Sequence, residues 1–544
     1  MNSTDTAARR CLLISEIFRI ILDFLSYTDA KTLAVLARTC KIMHEAIVPT
    51  LWSYQDGLDA LLRLLPSDSW SEVLDEHRNT SFRITKPDRI EWTRFDHYAG
   101  HVRDFVWPSD VKELSPSTLA VLSNRCADGR PLFPQIRSLI LKGPTAAQGF
   151  SYANLFLAPT LSQLVLSVHF DRPDTMCQAF KHVGATCKNL MILQLRGVTA
   201  EDDLSSDTEG PTTQKLADDV NGALAELLRA LPKLGIYFTE RLFTSASCME
   251  ALATLPRLSL VHFDVLPEEM DTIAASAACR QRGGQWFNAL AEMRLSVDRL
   301  DESTAAFFDA LRGERMRQLE IRSFIQPDSP MLKKHFELVA RPTLTNLKVI
   351  FDDSPTGNRG PAAFDARQAL QPLYAISGLS HLEIRCPVLD VSARAVRDIA
   401  NAWPGIQTLA LYSYGLPHPG VDKPSLTLED LVPLAVNCPS LDELVIPLNA
   451  EKIPDEAALK RLLPEPSQCA LWEFTAVHAP IEDPGQVAGV LARLFPELRA
   501  VNYHYADEPL PFEPELGTFE CKWEEVDELL QGQPVESDSD EENE

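Results

Sequence analysis

Two histidines stand beside carboxylates in strand-like runs, His169 with Asp171 and His262 with Asp264. A carboxylate next to an imidazole can orient it and stabilise its protonated form, an arrangement used in general acid–base chemistry. Such a pair needs a nucleophile or a metal-bound water to act on a substrate. The sequence holds no G-x-S-x-G, no H-E-x-x-H, no Walker loop and no kinase set. Asp352-Asp353, closing the run Val349-Ile350-Phe351, is an acidic strand end of a kind that can hold Mg²⁺, but no phosphate cradle lies near it. The eleven cysteines include no Cys-x-x-Cys pair. An odd count without a framework suits a reducing compartment, and Cys40, Cys187, Cys279, Cys386 and Cys438 read as small buried hydrophobes. Ser537 and Ser539 precede acidic residues, a pattern acidophilic kinases use. The expectation is a non-catalytic chain with no cofactor and no metal.

The elements that would position these groups belong to a long chain of 544 residues, enough for several domains. Its formal net charge of −26 supplies no basic footprint, which disfavours nucleic-acid backbones and anionic membranes as partners. No apolar run reaches the roughly twenty residues of a membrane span. Glu16, Arg19 and Asp23 interrupt the one leader-like candidate, between Leu12 and Leu25. The expected location is cytoplasmic, nuclear or both.

Residues Cys11–Trp52 carry a high density of long apolar side chains. Ile14, Ile17, Ile20, Ile21 and Leu25 recur mostly at three and four, which predicts a helix over about Ser15–Phe24, with Phe18, Leu22 and Phe24 on neighbouring faces. A second helix starts near Asp29 and buries Leu33, Val35, Leu36 and Ala37; a third follows Cys40 with Ile42, Met43, Ala46 and Ile47, and ends at Pro49. Three short helices shield too little of this surface themselves. Each large side chain left in water forgoes roughly 1.5–3 kcal/mol, so a partner is expected to cover the surplus.

This stretch resembles an F-box. The family's opening Leu-Pro-x-Glu-Ile is matched at Leu13, Ile14, Ser15, Glu16 and Ile17. Its spaced aliphatics are matched at Ile20, Ile21 and Leu25, its helix-opening Asp at Asp29, its Cys-Lys pair at Cys40-Lys41, and its closing Leu-Trp at Leu51-Trp52. Leu61–Asp68 resembles a continuation common in fungal, basidiomycete-type members. Three positions depart: Ile14 stands for proline, Met43 for tryptophan and Ala30 for an aliphatic. The resemblance implies docking to a Skp-type adaptor and, through it, to a cullin–RING ubiquitin ligase. Leu13, Ile14, Ile17, Ile20, Ile21, Leu25, Leu33, Leu36, Met43, Leu51 and Trp52 would form the adaptor contact. The plainer alternative is a helical subdomain packed on whatever follows.

From about Leu114 to Tyr505 one phrase returns: a helix-like segment, often a Pro or small residue, then something close to Leu-x-x-Leu-x-Leu. Copies begin near Ile136, Leu161, Leu190, Leu255, Leu290, Met316, Leu344, Leu379, Ile406, Leu441, Leu471 and Leu498; the long gap before Leu255 has room for another. The alternation marks a short strand with one face buried. Helical period precedes strands at Asn221–Ala230, Thr304–Arg312, Met331–Val339 and Val391–Ala400. One strand and one helix per copy at this period resembles irregular leucine-rich repeats. Two doubly wound α/β domains are the competing architecture, against which no Gly-rich phosphate loop follows any strand.

The expected fold is therefore an α/β solenoid, a leucine-rich-repeat-like array preceded by a small all-α F-box module. Its parts are the module (8–55), a linker and N-terminal cap (56–113), the solenoid (114–508), a C-terminal cap (509–535) and an acidic tail (536–544). Stacking would put a parallel sheet on the concave side, with the x residues Gln194, Arg196, Arg294, Glu320, Arg322, Lys348, Glu383 and Arg385 as candidate contacts to a protein substrate. Insertions at Glu201–Lys215, Asp352–Ala363 and Tyr412–Leu426 would emerge as loops beside that face. Two functions remain open: the substrate-recognition subunit of an SCF-type ubiquitin ligase, or a repeat scaffold for protein interactions with no ligase role.

Overall fold

The computed structural model describes residues 18–532 apart from 19, 23, 26–29, 75–79, 108–113, 127–129, 142–154, 171–172, 199–212, 281–285, 312–313, 353–363, 388, 414–423, 466, 478 and 504–513. Two compact units divide the chain, 1–243 with 247–258 and 244–246 with 259–544.

The first unit begins with helices. The described residues between 18 and 25 are helical, followed by Ala30–Ala37 and Lys41–Leu51. Leu22, Leu33, Ala37 and Ile47 form their core, with Phe18, Leu25, Leu36, Met43 and Leu51 packed against it. Pro49 does not end the third helix; it lies inside the last turn. There the helix is about to stop, and the next N–H bonds resume from Trp52 to the Val48 carbonyl at 3.0 Å. Strand β1 (Tyr54–Asp56) comes next, then the antiparallel pair β2 (Trp70–Leu74) and β3 (Thr80–Ile84). Strands β4 (Asp104–Trp107), β5 (Ser138–Leu141), β6 (Gln163–His169), β7 (Ile192–Val198) and β8 (Ile236–Phe243) join β1 in a parallel sheet whose spatial order is the chain order.

The second unit continues the pattern with β9 (Leu260–Val265), β10 (Glu292–Arg299), β11 (Gln318–Ile325) and β12 (Asn346–Phe351). The short pair β13 (Phe364–Asp365) and β15 (Leu389–Asp390) stands apart from the main sheet. The main sheet goes on through β14 (His381–Cys386), β16 (Thr408–Ser413), β17 (Glu443–Ile446), β18 (Glu473–Ala476) and β19 (Ala500–Asn502). Within each unit the sheet order never reverses, so neither has the switch point of a doubly wound fold. Strand–helix repetition in one direction is the organisation of a repeat solenoid.

The repeated phrase explains the geometry. Its three aliphatics are buried in copy after copy, for example Leu161, Leu164 and Leu166, or Leu379, Leu382 and Ile384. A tight turn sets each strand's entry. Ile136 N–H donates to the Phe133 carbonyl, and the same bond links Leu161 to Ala158, Leu234 to Leu231, Leu344 to Arg341, Ile406 to Trp403, Leu441 to Cys438 and Leu498 to Phe495. Proline follows the acceptor each time, at Pro134, Pro159, Pro232, Pro342, Pro404, Pro439 and Pro496, where its fixed φ suits the turn. A backbone relay ties copies together. The N–H groups of Thr345 and Asn346 both donate to the Arg317 carbonyl, those of Ser380 and His381 to Thr345, and those of Gln407 and Thr408 to Ser380.

Helices open on side-chain caps shortly after the strands. Asp301, Asp328, Ser392, Asp455 and Asp483 each accept a hydrogen bond from a first-turn N–H. Such caps start the helices Glu302–Ala310, Ser329–Val339 and Ala393–Ala402, whereas Asp218–Arg229 opens after Ala217 without a side-chain cap; all four begin two or three residues from the starts read from periodicity. The copy assigned to Leu255 is out of register: its phrase runs Leu258, Val261, Phe263. The long gap holds β8, whose phrase is Leu234, Tyr237, Thr239, with Tyr237 filling a place taken elsewhere by an aliphatic. Tyr412 and Leu426 are buried ends, not part of an excursion. Residues 201–212, 353–363, 414–423 and the tail with Ser537 and Ser539 lie outside the described residues. The helix Pro514–Gln531 closes the second unit, burying Trp523 and Val526; the Trp523 Nε1–H donates to the Ala479 carbonyl at 2.9 Å.

Candidate protein-interaction surfaces

The first candidate surface is on the N-terminal helices. Ile20 and Ile21 are exposed; Leu25, Leu36, Met43 and Leu51 are half-buried against the cluster. Leu13, Ile14 and Ile17 lie outside the described residues. Two assigned residues turn inward. Leu33 is buried at the centre of the cluster, so it holds the helices together and cannot meet a partner. Trp52 is half-buried, with its ring 4.5 Å from that of Tyr98 on the helix Thr93–Ala99. Its aromatic face is therefore occupied by its own chain. Sequence reasoning missed Phe24, Val35 and Ile42, which are 68%, 64% and 66% exposed, close to the 69% of Ile20. Phe24 follows Ile20 by four and shares its face. That spacing could have found it, whereas Val35 sits in the apolar run Leu33–Ala37, where periodicity does not choose, and Ile42 stands beside Met43 with nothing in the spacing to single it out.

The second candidate surface is the sheet face carrying the x residues. In the first unit Gln194 is half-buried and Arg196 exposed on β7; Arg196 is paired in register with Glu240 of β8, Nε to Oε1 3.6 Å. In the second unit parallel register lines up His262, Arg294, Glu320, Lys348 and Glu383, one from each successive strand from β9 to β14. Arg294 Nε lies 2.8 Å from Glu320 Oε2, and Lys348 Nζ lies 2.9 Å from Glu383 Oε2. Arg385 pairs with the other Glu383 oxygen, and Arg322 approaches Asp352 at 3.8 Å. The eight assigned residues thus divide between two units: two on β7 and six on β10–β14. Most of them satisfy one another.

The row then changes character. Glu383 is in register with Ala410, and Ala410 with Val445; with Tyr412 and Val477 these form a buried apolar cluster. Alongside runs a second row: Glu292, Gln318, Asn346, His381, Thr408, Glu443 and Glu473, again in register. A groove of about 300 Å³ opens over both rows between Glu292 and Glu443.

Burial lowers His262 to about 4, and the guanidinium groups of Arg294 and Arg322 push in the same direction, so its ring is neutral near pH 7. Burial raises Asp264, against the Ser296 hydroxyl and Arg322. The two share a face of β9 as part of a charge ladder. Burial also raises the Glu443 carboxyl, helped by Glu473 and Glu383 and opposed by Arg385 and the Thr408 hydroxyl. Among the described residues no group of three or more His, Cys, Asp or Glu is arranged to hold a metal, and no helix is long and apolar enough to cross a membrane.

No protein-family model matches this chain, and no curated protein matches it. Among solved structures it is similar to one in a complex of Rad7 and Elc1 in yeast, at 14% identity over 67% of this chain and 82% of that one, with a TM-score of 0.39. It is similar to TLR13 in its ssRNA13 complex at 12% identity, covering 74% and 54% of the two chains, TM-score 0.37. Similarity to the Toll–Spatzle complex of Drosophila is 10% identity over 76% and 48%, TM-score 0.36.

Proposed function

We propose that this chain is the substrate-recognition subunit of an SCF-type ubiquitin ligase. Its N-terminal helices dock to a Skp-type adaptor, and its repeats hold a protein to be ubiquitylated. One observation carries the reading: Ile20, Phe24, Val35 and Ile42 stand in water on a small helical cluster whose core is already filled by Leu22, Leu33, Ala37 and Ile47. Each such side chain forgoes roughly 1.5–3 kcal/mol until something covers it. No catalytic group is required of the chain, because holding a target lysine near a charged conjugating enzyme raises its effective concentration.

Co-purification with a Skp-type adaptor tests this. The intact chain retains the adaptor, and Ile20→Asp and Phe24→Asp each lose it while keeping the circular-dichroism spectrum. Retention by both variants would overturn the assignment. A repeat scaffold without a ligase role is favoured by one feature, the packing of the Trp52 ring against that of Tyr98, tilted by 33°, which ties the helices to the rest of the first unit.

A further inference from the structure

The cations of the second unit's charged row are consumed within it. Arg294, Lys348 and Arg385 pair with Glu320 and Glu383, and Arg322 with Asp352. The neighbouring row is different. Among the described residues Glu292, Glu443 and Glu473 have no cation within ion-pair distance. Glu473 accepts a bond from Asn502 Nδ2 at 2.9 Å, and Glu443 one from the Thr408 hydroxyl. Glu443 and Glu473 are adjacent in register on β17 and β18, with Glu383 close enough to be felt by Glu443. Between Glu292 and Glu443 the row carries no carboxylate, lysine or arginine, only the hydrogen-bonding side chains of Gln318, Asn346, His381 and Thr408.

From this we infer that the groove receives an extended basic segment of a partner protein, one lysine or arginine seated between Glu443 and Glu473 and a second at Glu292. This deepens the reading of the repeats as a partner-binding surface and rests on it. Charge complementarity selects the occupant. Of the groove's carboxylates, Glu320 and Glu383 are paired, whereas Glu292 and Glu443, like Glu473 on the next strand, have no ion-pair partner among the described residues, although Arg385 acts on Glu443 from further off. The chain's net charge of −26 attracts basic partners from a distance. Geometry sets the spacing. Five strand intervals separate Glu292 from Glu443, about 24 Å at the usual strand separation. An extended chain covers that in about seven residues. The amide and hydroxyl side chains between the two ends are suited to hydrogen-bonding the backbone of such a segment.

The test uses the full-length protein and fluorescein-labelled synthetic peptides built on a neutral Gly/Ser/Asn frame, with two lysines at varied separation. Anisotropy at low salt should show the tightest binding near a separation of about seven residues. Binding should weaken as salt rises, and the Glu443→Gln/Glu473→Gln variant should weaken it roughly tenfold. Peptides with glutamates in place of the lysines should not bind. Equal affinity for the glutamate peptides, or no dependence on lysine separation, would overturn the proposal without any variant being made. So would an Mg²⁺ or polyamine titration that displaces the peptide equally well from wild type and variant. Loss of a dimer in light scattering on making the variant would assign the face to a second copy instead. Adaptor co-purification is read on the same variant. Failure of peptide binding with the adaptor retained sinks only the groove; loss of the adaptor from wild type sinks the ligase reading.

Discussion

Asp527 accepts a hydrogen bond from the backbone N–H of Val501, Oδ1 to N 2.7 Å. Val501 lies on β19, the last strand of its sheet, and Asp527 on the closing helix. A side chain thus takes the place that another strand would fill. Edge amides left open are templates for pairing with other chains.

Asp527→Ala should therefore cost about 1.5–3 kcal/mol, the worth of a hydrogen bond to a charged group, with the loss confined to the C-terminal end. Chemical denaturation reads the cost, and light scattering at raised concentration should report association that the wild type lacks.

Gly197→Ala should destabilise the first unit by about 1–3 kcal/mol. A Cβ at Gly197 would stand 2.6 Å from the Arg241 carbonyl, and that carbonyl is held by a kink in β8 where Arg241 adopts φ 60°. The neighbour is backbone in a fixed register, so it does not yield as a side-chain tip would. A lowered denaturation midpoint with unchanged secondary structure is the expected result.

Acid should weaken the second unit through two histidines. His335 is fully buried, its Nδ1 2.8 Å from the Met331 carbonyl and its Nε2 2.8 Å from the Thr304 hydroxyl. Burial lowers its pKa and Lys334 adds to that, with the Met331 carbonyl, Asp301 and Glu302 opposing. His262 falls to about 4. An unfolded histidine titrates near 6.5, so below that pH the unfolded chain takes up protons the folded chain refuses. Stability from both groups is whole above about pH 6.5 and declines as pH falls toward the folded values. Denaturation midpoints between pH 7.5 and 4 should slope less in His262→Gln and His335→Asn than in wild type.

Thiol labelling should sort the cysteines by burial. Cys187 and Cys438 are pushed up to about 12 and Cys469 to about 11, each chiefly by burial, whereas Cys40 and Cys521 are exposed. The thiolate is the reactive form. Maleimide on the native protein should modify Cys40 and Cys521 within minutes and leave the buried three until denaturant is added; mass spectrometry of the peptides checks the order.

The strands were legible because Leu-x-x-Leu-x-Leu carries both period and burial in six residues. Tyr237 and Thr239 hid one copy, since an aromatic and a hydroxyl do not match an aliphatic template although both are buried there. The Leu255 copy slipped by three because Leu255 and Leu258 are equally good openers; only pairing with β10 decides between them. On the candidate surfaces, sequence alternation correctly put Arg294, Glu320, Lys348 and Glu383 on one face. It could not say that they would pair across strands, because partner choice depends on register between repeats. Nor could it find Glu443 and Glu473, which stand out only once the neighbouring cations are seen to be taken. On the N-terminal helices, Leu33 and Val35 look alike in sequence; one is core and the other faces water.

The backbone relay has an evolutionary corollary. Each copy hands its neighbour one carbonyl, received at the same point of the phrase, as from Arg317 to Thr345 and from Thr345 to Ser380. Duplicating or excising a whole copy leaves that handover intact and lengthens or shortens the array by one step. Adding a single residue inside a phrase does the opposite: it flips the pleat, sending Glu320 or Lys348 toward the leucines and a leucine toward water. Lineages descended from this gene should differ by entire repeats and by loop length, with indels inside strands purged.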